Sequence, residues 1–107
     1  MNEEIAGKVM GLRGVQGTAL MGAMGDVVES TIDEGQVLEF MGFLGGMVPS
    51  FEQVASLGRV KEVILKGPSD DLITMYLEND QALGVIADNR TSVRILKQQI
   101  HDMLQWD

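Results

Sequence analysis

Residues 33–57 read DEGQVLEFMGFLGGMVPSFEQVASL. On a helical wheel Val37, Phe40, Met41, Phe43, Leu44, Met47, Val48, Phe51 and Val54 fill an arc of roughly 160°, more than a helix covering one face of a small domain needs. Part of the remaining surface is lined by Gly42, Gly45 and Gly46, with Leu38 nearby. A helix apolar on its broad side and nearly bare on another can pack against its own sheet and also meet a second molecule closely. The stretch therefore points to a dimer-forming scaffold rather than a solitary enzyme.

The ends of this helix carry their own signals. Thr31-Ile32-Asp33-Glu34 reads as a capping box, Thr31 accepting from the amide three residues on and Glu34 reaching back. Gly45-Gly46 and Pro49 interrupt the interior, because Pro49 removes a hydrogen bond and crowds the carbonyl of Gly45. Ser50-Phe51-Glu52-Gln53 is a second capping box, so the helix is expected to kink, or to stop and restart, near residue 49. Gly58 is the expected C-terminal cap.

Before this helix, residues 3–12 form a short helix with Ile5, Val9 and Leu12 on one side and Asn2 as N-cap. Residues 15–21 and 26–30 read as strands joined by the Gly22-Ala23-Met24-Gly25 turn. After it come strands at 60–66, 72–77 and 82–87, separated by turns at 67–71 and 78–81. The latter two are apolar on both faces and belong in the centre of a sheet. The 61–66 strand carries Lys61, Glu62 and Lys66 and suits an edge. A last helix over 92–106 has Val93, Leu96, Ile100, Met103 and Leu104 in one stripe, with Ile95 and Trp106 off it. The result is an α+β chain of order α-β-β-α-β-β-β-α. Its five-stranded antiparallel sheet has the long helix on one face and the two terminal helices on the other.

Composition narrows the function. A chain of 107 residues reads as one domain, 1–107, burying roughly 65% of its unfolded surface. It has no cysteine, which excludes disulfides and thiolate metal sites. The start lacks the basic segment of a signal peptide, and no run approaches the ~18 apolar residues of a membrane span. A cytoplasmic protein with no membrane role is expected. The formal charge is −8, from 16 acidic and 8 basic residues. The basic ones are scattered rather than gathered into the stripe that nucleic acid requires.

A search for chemistry returns no catalytic residue, cofactor site or metal site. The single histidine, His101, falls on the polar side of the last helix, where a solvated surface position is expected. One histidine without cysteine does not make a zinc site, and no carboxylate spacing matches an EF-hand. No serine lies in a nucleophile-elbow context. Gly11, Gly14 and Gly17 do not form a GxGxxG pattern, and Gly7-Lys8 lacks the rest of a P-loop. The eight methionines read as core filling or as an adaptable pocket.

One segment runs Gly14-Val15-Gln16-Gly17-Thr18-Ala19-Leu20-Met21, then Gly25, then Val27-Val28-Glu29-Ser30. It resembles the opening hairpin of the roadblock family, the roadblock-type dynein light chains and prokaryotic relatives that regulate Ras-like small GTPases. Gly58-Arg59-Val60-Lys61-Glu62-Val63-Ile64-Leu65 resembles that family's third strand with its approach. Ala82-Leu83-Gly84-Val85-Ile86-Ala87 resembles its fifth, and Arg94 falls near a basic residue early in its last helix. The likeness spans roughly residues 5–105 and rests on the order and spacing of weak motifs. Two features depart from it: the hairpin turn lacks acids before its glycine, and the long helix contains Gly45, Gly46 and Pro49.

The resemblance implies a homodimer, or a pair with a roadblock-like paralogue. The long helices pack side by side, an edge strand pairs across the two-fold axis, and a Ras-like GTPase docks on the paired helices. Carried onto this chain, the dimer contact is Leu38, Met41, Gly42, Gly45, Gly46, Lys61, Val63 and Leu65. The partner-facing residues are Glu34, Glu39, Glu52 and Gln53. The first functional reading is thus a non-catalytic regulator or adaptor of a small GTPase. The alternatives are a structural light-chain-like subunit of a larger assembly, and a small-molecule sensor with an internal cavity of roughly 300 Å3 or more.

Overall fold

Asn2 starts the first helix as its sequence predicts: its Oδ1 accepts from the Ile5 N–H at 3.0 Å, and Glu3 and Glu4 sit in the first turn, where the helix dipole favours negative charge. From there the chain runs α1 (Glu3–Met10), β1 (Val15–Gly22), β2 (Val27–Ser30), α2 (Gly35–Val54), β3 (Glu62–Lys66), β4 (Leu72–Glu78), β5 (Gln81–Ala87) and α3 (Val93–Leu104). This computed structural model describes every residue except Ala23, Met24, Leu57, Ser69, Asp70, Asn79 and Asp107. The expected turns at 22–25, 67–71 and 78–81 therefore lie partly outside the described residues.

The strands form one antiparallel sheet in the order β2-β1-β5-β4-β3. The two strands read as apolar on both faces, β4 and β5, are interior. The strand read as an edge, β3, is one, bonded to β4 alone among the described strands. Alternation along each strand sends side chains to two layers. On one face Leu72 and Tyr76 of β4 and Leu83, Val85 and Ala87 of β5 pack beneath Ala6 and Val9 of α1 and Leu96 and Ile100 of α3. On the other, Ala19, Met21, Met75 and Ala82 pack beneath Met41 of α2. The expected layering is thus observed. Each of these buried Leu, Ile, Val or Met side chains contributes about 1.5–3 kcal/mol relative to exposure.

Four local expectations are corrected. Thr31 does not cap α2: its Oγ1 accepts from the Thr18 N–H at 2.9 Å, tying the end of β2 to β1. Glu34 occupies the N-cap position without a side-chain bond. The long helix does not stop and restart at Pro49 but continues through it to Val54; Met41 and Val48, both on the N-terminal side of the proline, are its buried residues. Its C-cap is Ala55 rather than Gly58, although Gly58 has φ +70°. Trp106, off the apolar stripe, is partly buried against the α1–α3 core.

Candidate protein-interaction surface

The 160° apolar arc of α2 divides in two. Val37, Met41, Leu44 and Val48 turn inward. Phe40, Phe43, Phe51 and Val54 turn to solvent, with exposures of 42, 62, 39 and 85%. Their spacing (40, 43, 51, 54) brackets Met47, which is half-buried, and makes one ridge along the outer side of the helix. Three phenylalanines in a row on a solvent-facing ridge are what an unfilled contact surface looks like, since isolated chains rarely leave large apolar side chains exposed together.

The structure sorts the residues proposed for a dimer contact. Met41 is completely enclosed by its own chain, and a Cβ on Gly84 would come within 2.7 Å of its sulfur. It is a core residue, and its assignment to an interface is corrected. Gly42 meets its own hairpin: a Cβ there would lie 3.0 Å from the Gly25 carbonyl oxygen. Gly45 faces the Met75 methyl group. Of the three glycines only Gly46 has open space beside it. Leu38 is partly buried in the core under α2. Lys61, just before β3, is exposed, and on β3 Val63 is half-buried, while Ile64 and Leu65 are both exposed.

The four residues proposed to face a partner do not make one patch. Glu34, Glu39 and Gln53 are exposed and Glu52 is half-buried. Glu34 and Glu52 fall on the sheet-facing side of the helix, and Glu39 and Gln53 lie roughly 100–140° around it. Glu52 lines a cleft of about 380 Å3 with Val48, Pro49, Arg59, Met75 and Leu77. The cleft opens to solvent between α2 and the sheet. It is not the enclosed cavity that the sensor reading requires.

Sequence reasoning misses the outward aromatic ridge. It groups Phe40, Phe43 and Phe51 with the sheet-facing arc and makes the glycine side the outer contact. The width of the arc is the available signal. A sheet covers about half of that width, so the other half has to face outward.

A second cluster anchors the β3 edge. Glu62 accepts from the Lys97 Nζ at 3.0 Å and lies 3.1 Å from the His101 Nε2. The His101 ring stands edge-on to Tyr76 and Trp106 at 6.1 and 5.1 Å between centroids. His101, on α3, is therefore half-buried over Glu62 of β3 and Tyr76 of β4 rather than solvated, which corrects the sequence expectation. Burial pushes the Tyr76 phenol above its usual range; the Thr74 hydroxyl opposes the shift and the Glu62 carboxylate adds to it. Thr74 is close enough to influence the phenol, but neither hydroxyl has hydrogen-bond geometry to a partner among the described residues. Also among the described residues, no group of three or more His, Cys, Asp or Glu could hold a metal ion, and no helix is long and apolar enough to cross a membrane.

No protein-family model and no curated protein matches the chain. Solved structures do. A roadblock/LC7 domain from Streptomyces avermitilis superposes with a TM-score of 0.76 at 15% identity, over 97% of this chain and 92% of that one. MglB from Myxococcus xanthus gives 0.72 at 20% identity, over 95 and 92%. The gliding protein MglB from Thermus thermophilus gives 0.73 at 13% identity, over 94 and 83%. The chain has the roadblock fold.

Proposed function

We propose that this chain is a single roadblock-like domain acting as a dimeric, non-catalytic regulator or adaptor of a Ras-like small GTPase. The observation that carries the reading is the solvent-facing ridge Phe40, Phe43, Phe51 and Val54 on the helix that roadblock proteins pair across their two-fold axis. The same molecule offers an edge strand, β3, bonded on one side. Together they give a second roadblock-like chain both an apolar helix face and a sheet edge to cover.

The mechanism is population shift. A paired-helix platform that holds the switch loops of a GTPase in one arrangement stabilises that arrangement by its differential affinity, and by no more. Recognition of switch loops therefore requires unequal affinity for the GTP- and GDP-bound states.

Two measurements test this. Sedimentation equilibrium across the micromolar range is expected to give twice the mass of one chain; a monomer at high micromolar concentration overturns the reading. Titration of the dimer with a Ras-like GTPase, loaded with GDP or with a non-hydrolysable GTP analogue, is expected to give different affinities. Equal affinities would reduce the role to tethering, as in a structural subunit.

A further inference from the structure

The loop between α1 and β1 is locked to the loop between β5 and α3. The Asp88 N–H donates to the Gly14 carbonyl at 2.9 Å. Gly14 has φ +88°, and a Cβ there would collide with the Thr91 hydroxyl. Asp88 also orders its own loop: its Oδ1 accepts from the Arg90 N–H at 3.0 Å and from the Thr91 hydroxyl at 2.9 Å. This joint carries two arginines, Arg13 just before Gly14 and Arg90 just after the Asp88 turn begins.

Between the two loops and the start of α3 lies an open cleft of about 510 Å3, with Arg13, Asp88, Arg90, Ile95 and Leu96 among its walls. That volume falls in the range of ligand-binding clefts. None of the residues lining it belongs to α2 or β3, so its accessibility does not depend on the dimer reading above.

Three features of the walls specify a ligand. Arg13 and Arg90 are exposed. Lys8 and Lys97 pair with Glu4 and Glu62, whereas these two arginines have no ion pair among the described residues. A guanidinium is a fixed fork that matches a carboxylate through two parallel N–H bonds. Beside them Ile95, 54% exposed, adds an apolar wall. Finally, the Asp88 Oδ2 accepts no hydrogen bond among the described residues. Its charge opposes a compact dianion such as phosphate, but it can accept from an amide N–H. Carboxylates, amide donors and an aliphatic group occur together in an extended peptide of alternating acidic and aliphatic residues, whose successive side chains point to opposite sides.

We infer that this cleft binds an extended acidic peptide segment, with its carboxylates on Arg13 and Arg90, a backbone N–H on Asp88 and an aliphatic side chain against Ile95. The formal charge of −8 makes the rest of the chain a poor surface for such a segment. Charges are screened within about 8 Å at physiological salt, so the local arginines decide where it settles.

The test uses the whole chain and a blocked peptide, acetyl-Glu-Leu-Glu-Leu-Glu-amide, followed by backbone amide NMR shifts. Saturable shifts are expected at Gly14, Arg90 and Ile95, with a Kd of about 1 mM or tighter. The uncharged analogue with glutamine in place of each glutamate is expected to bind about tenfold more weakly, and the analogue with serine in place of each leucine about threefold more weakly. Arg13→Gln and Arg90→Gln are each expected to weaken the acidic peptide about fivefold and to leave the glutamine analogue unchanged. An unchanged urea midpoint checks that both variants keep the fold. Ile95→Ser is expected to remove the preference for leucine over serine. Inorganic phosphate is expected to bind more weakly than the peptide. Equal binding of the charged and uncharged peptides, shifts that are absent or confined to α2, or phosphate binding as tightly as the peptide overturns the inference. Binding is read without a GTPase and whatever the mass of the particle, so each of those results leaves the proposed function standing.

Discussion

Gly25 and Gly42 touch backbone to backbone: a Cβ on Gly25 would stand 2.9 Å from the Gly42 carbonyl oxygen, and one on Gly42 would stand 3.0 Å from that of Gly25. The β1–β2 hairpin is thereby docked on the long helix. Gly25 also has φ +81°, a region that a Cβ disfavours by about 1–2 kcal/mol. Gly25→Ala combines that strain with a clash neither backbone can relieve cheaply. A loss of about 2 kcal/mol or more is expected, read as a lower urea midpoint at unchanged slope.

Within the same helix two glycines give opposite signs. Alanine is the better helix former by about 0.5–1 kcal/mol. Gly46 has nothing within 4 Å of a built Cβ, so Gly46→Ala is expected to raise the urea midpoint by about that amount. Gly42→Ala loses the same gain against the Gly25 carbonyl and is expected to lower it. If Gly46→Ala also weakens dimerisation, the helices approach each other at Gly46.

The Tyr76 hydroxyl is buried without a hydrogen-bond partner among the described residues, and burial raises its pKa above the ordinary value near 10. A raised folded value means that the folded state holds its proton longer than the unfolded chain does. The associated stability is complete below pH 10 and is lost as pH climbs through 10 toward the folded value. Tyr76→Phe is expected to be about as stable as the wild type at neutral pH, since a buried unpaired hydroxyl adds nothing, and to lose less stability above pH 10. Tyr76 is the single tyrosine, so phenolate absorbance follows its titration directly.

Phe43 is the most exposed of the three phenylalanines on the outer ridge. Phe43→Ser is expected to change the stability of the isolated chain by no more than about 0.5 kcal/mol, as for other surface substitutions. Its mass by sedimentation is expected to shift toward the monomer. An unchanged mass would remove the ridge from the interface.

Much of this architecture is readable from the residues. The order of elements follows from hydrophobic period and turn composition, and the interior places of β4 and β5 follow from their two apolar faces. What is not readable is settled at long range. Thr31 has the spacing of a cap, but the Thr18 amide on the neighbouring strand competes for it successfully. Pro49 carries a local break signal, yet the helix continues through it to Val54. His101 reads as solvated because its neighbours Glu62 and Tyr76 are 39 and 25 residues away in sequence. The α2 ridge is misdirected for a related reason: a wheel gives the width of an apolar arc, not the part that the sheet will cover.

The opposite margin of the sheet bears on how far assembly can go. β2 has only four residues, and its register against β1 slips between Leu20 and Met21. A bulged, abbreviated border makes a poor template for a further strand. Two chains joined along β3 would leave only such borders at both ends, so growth stops at a closed, symmetric pair instead of running on into a fibre.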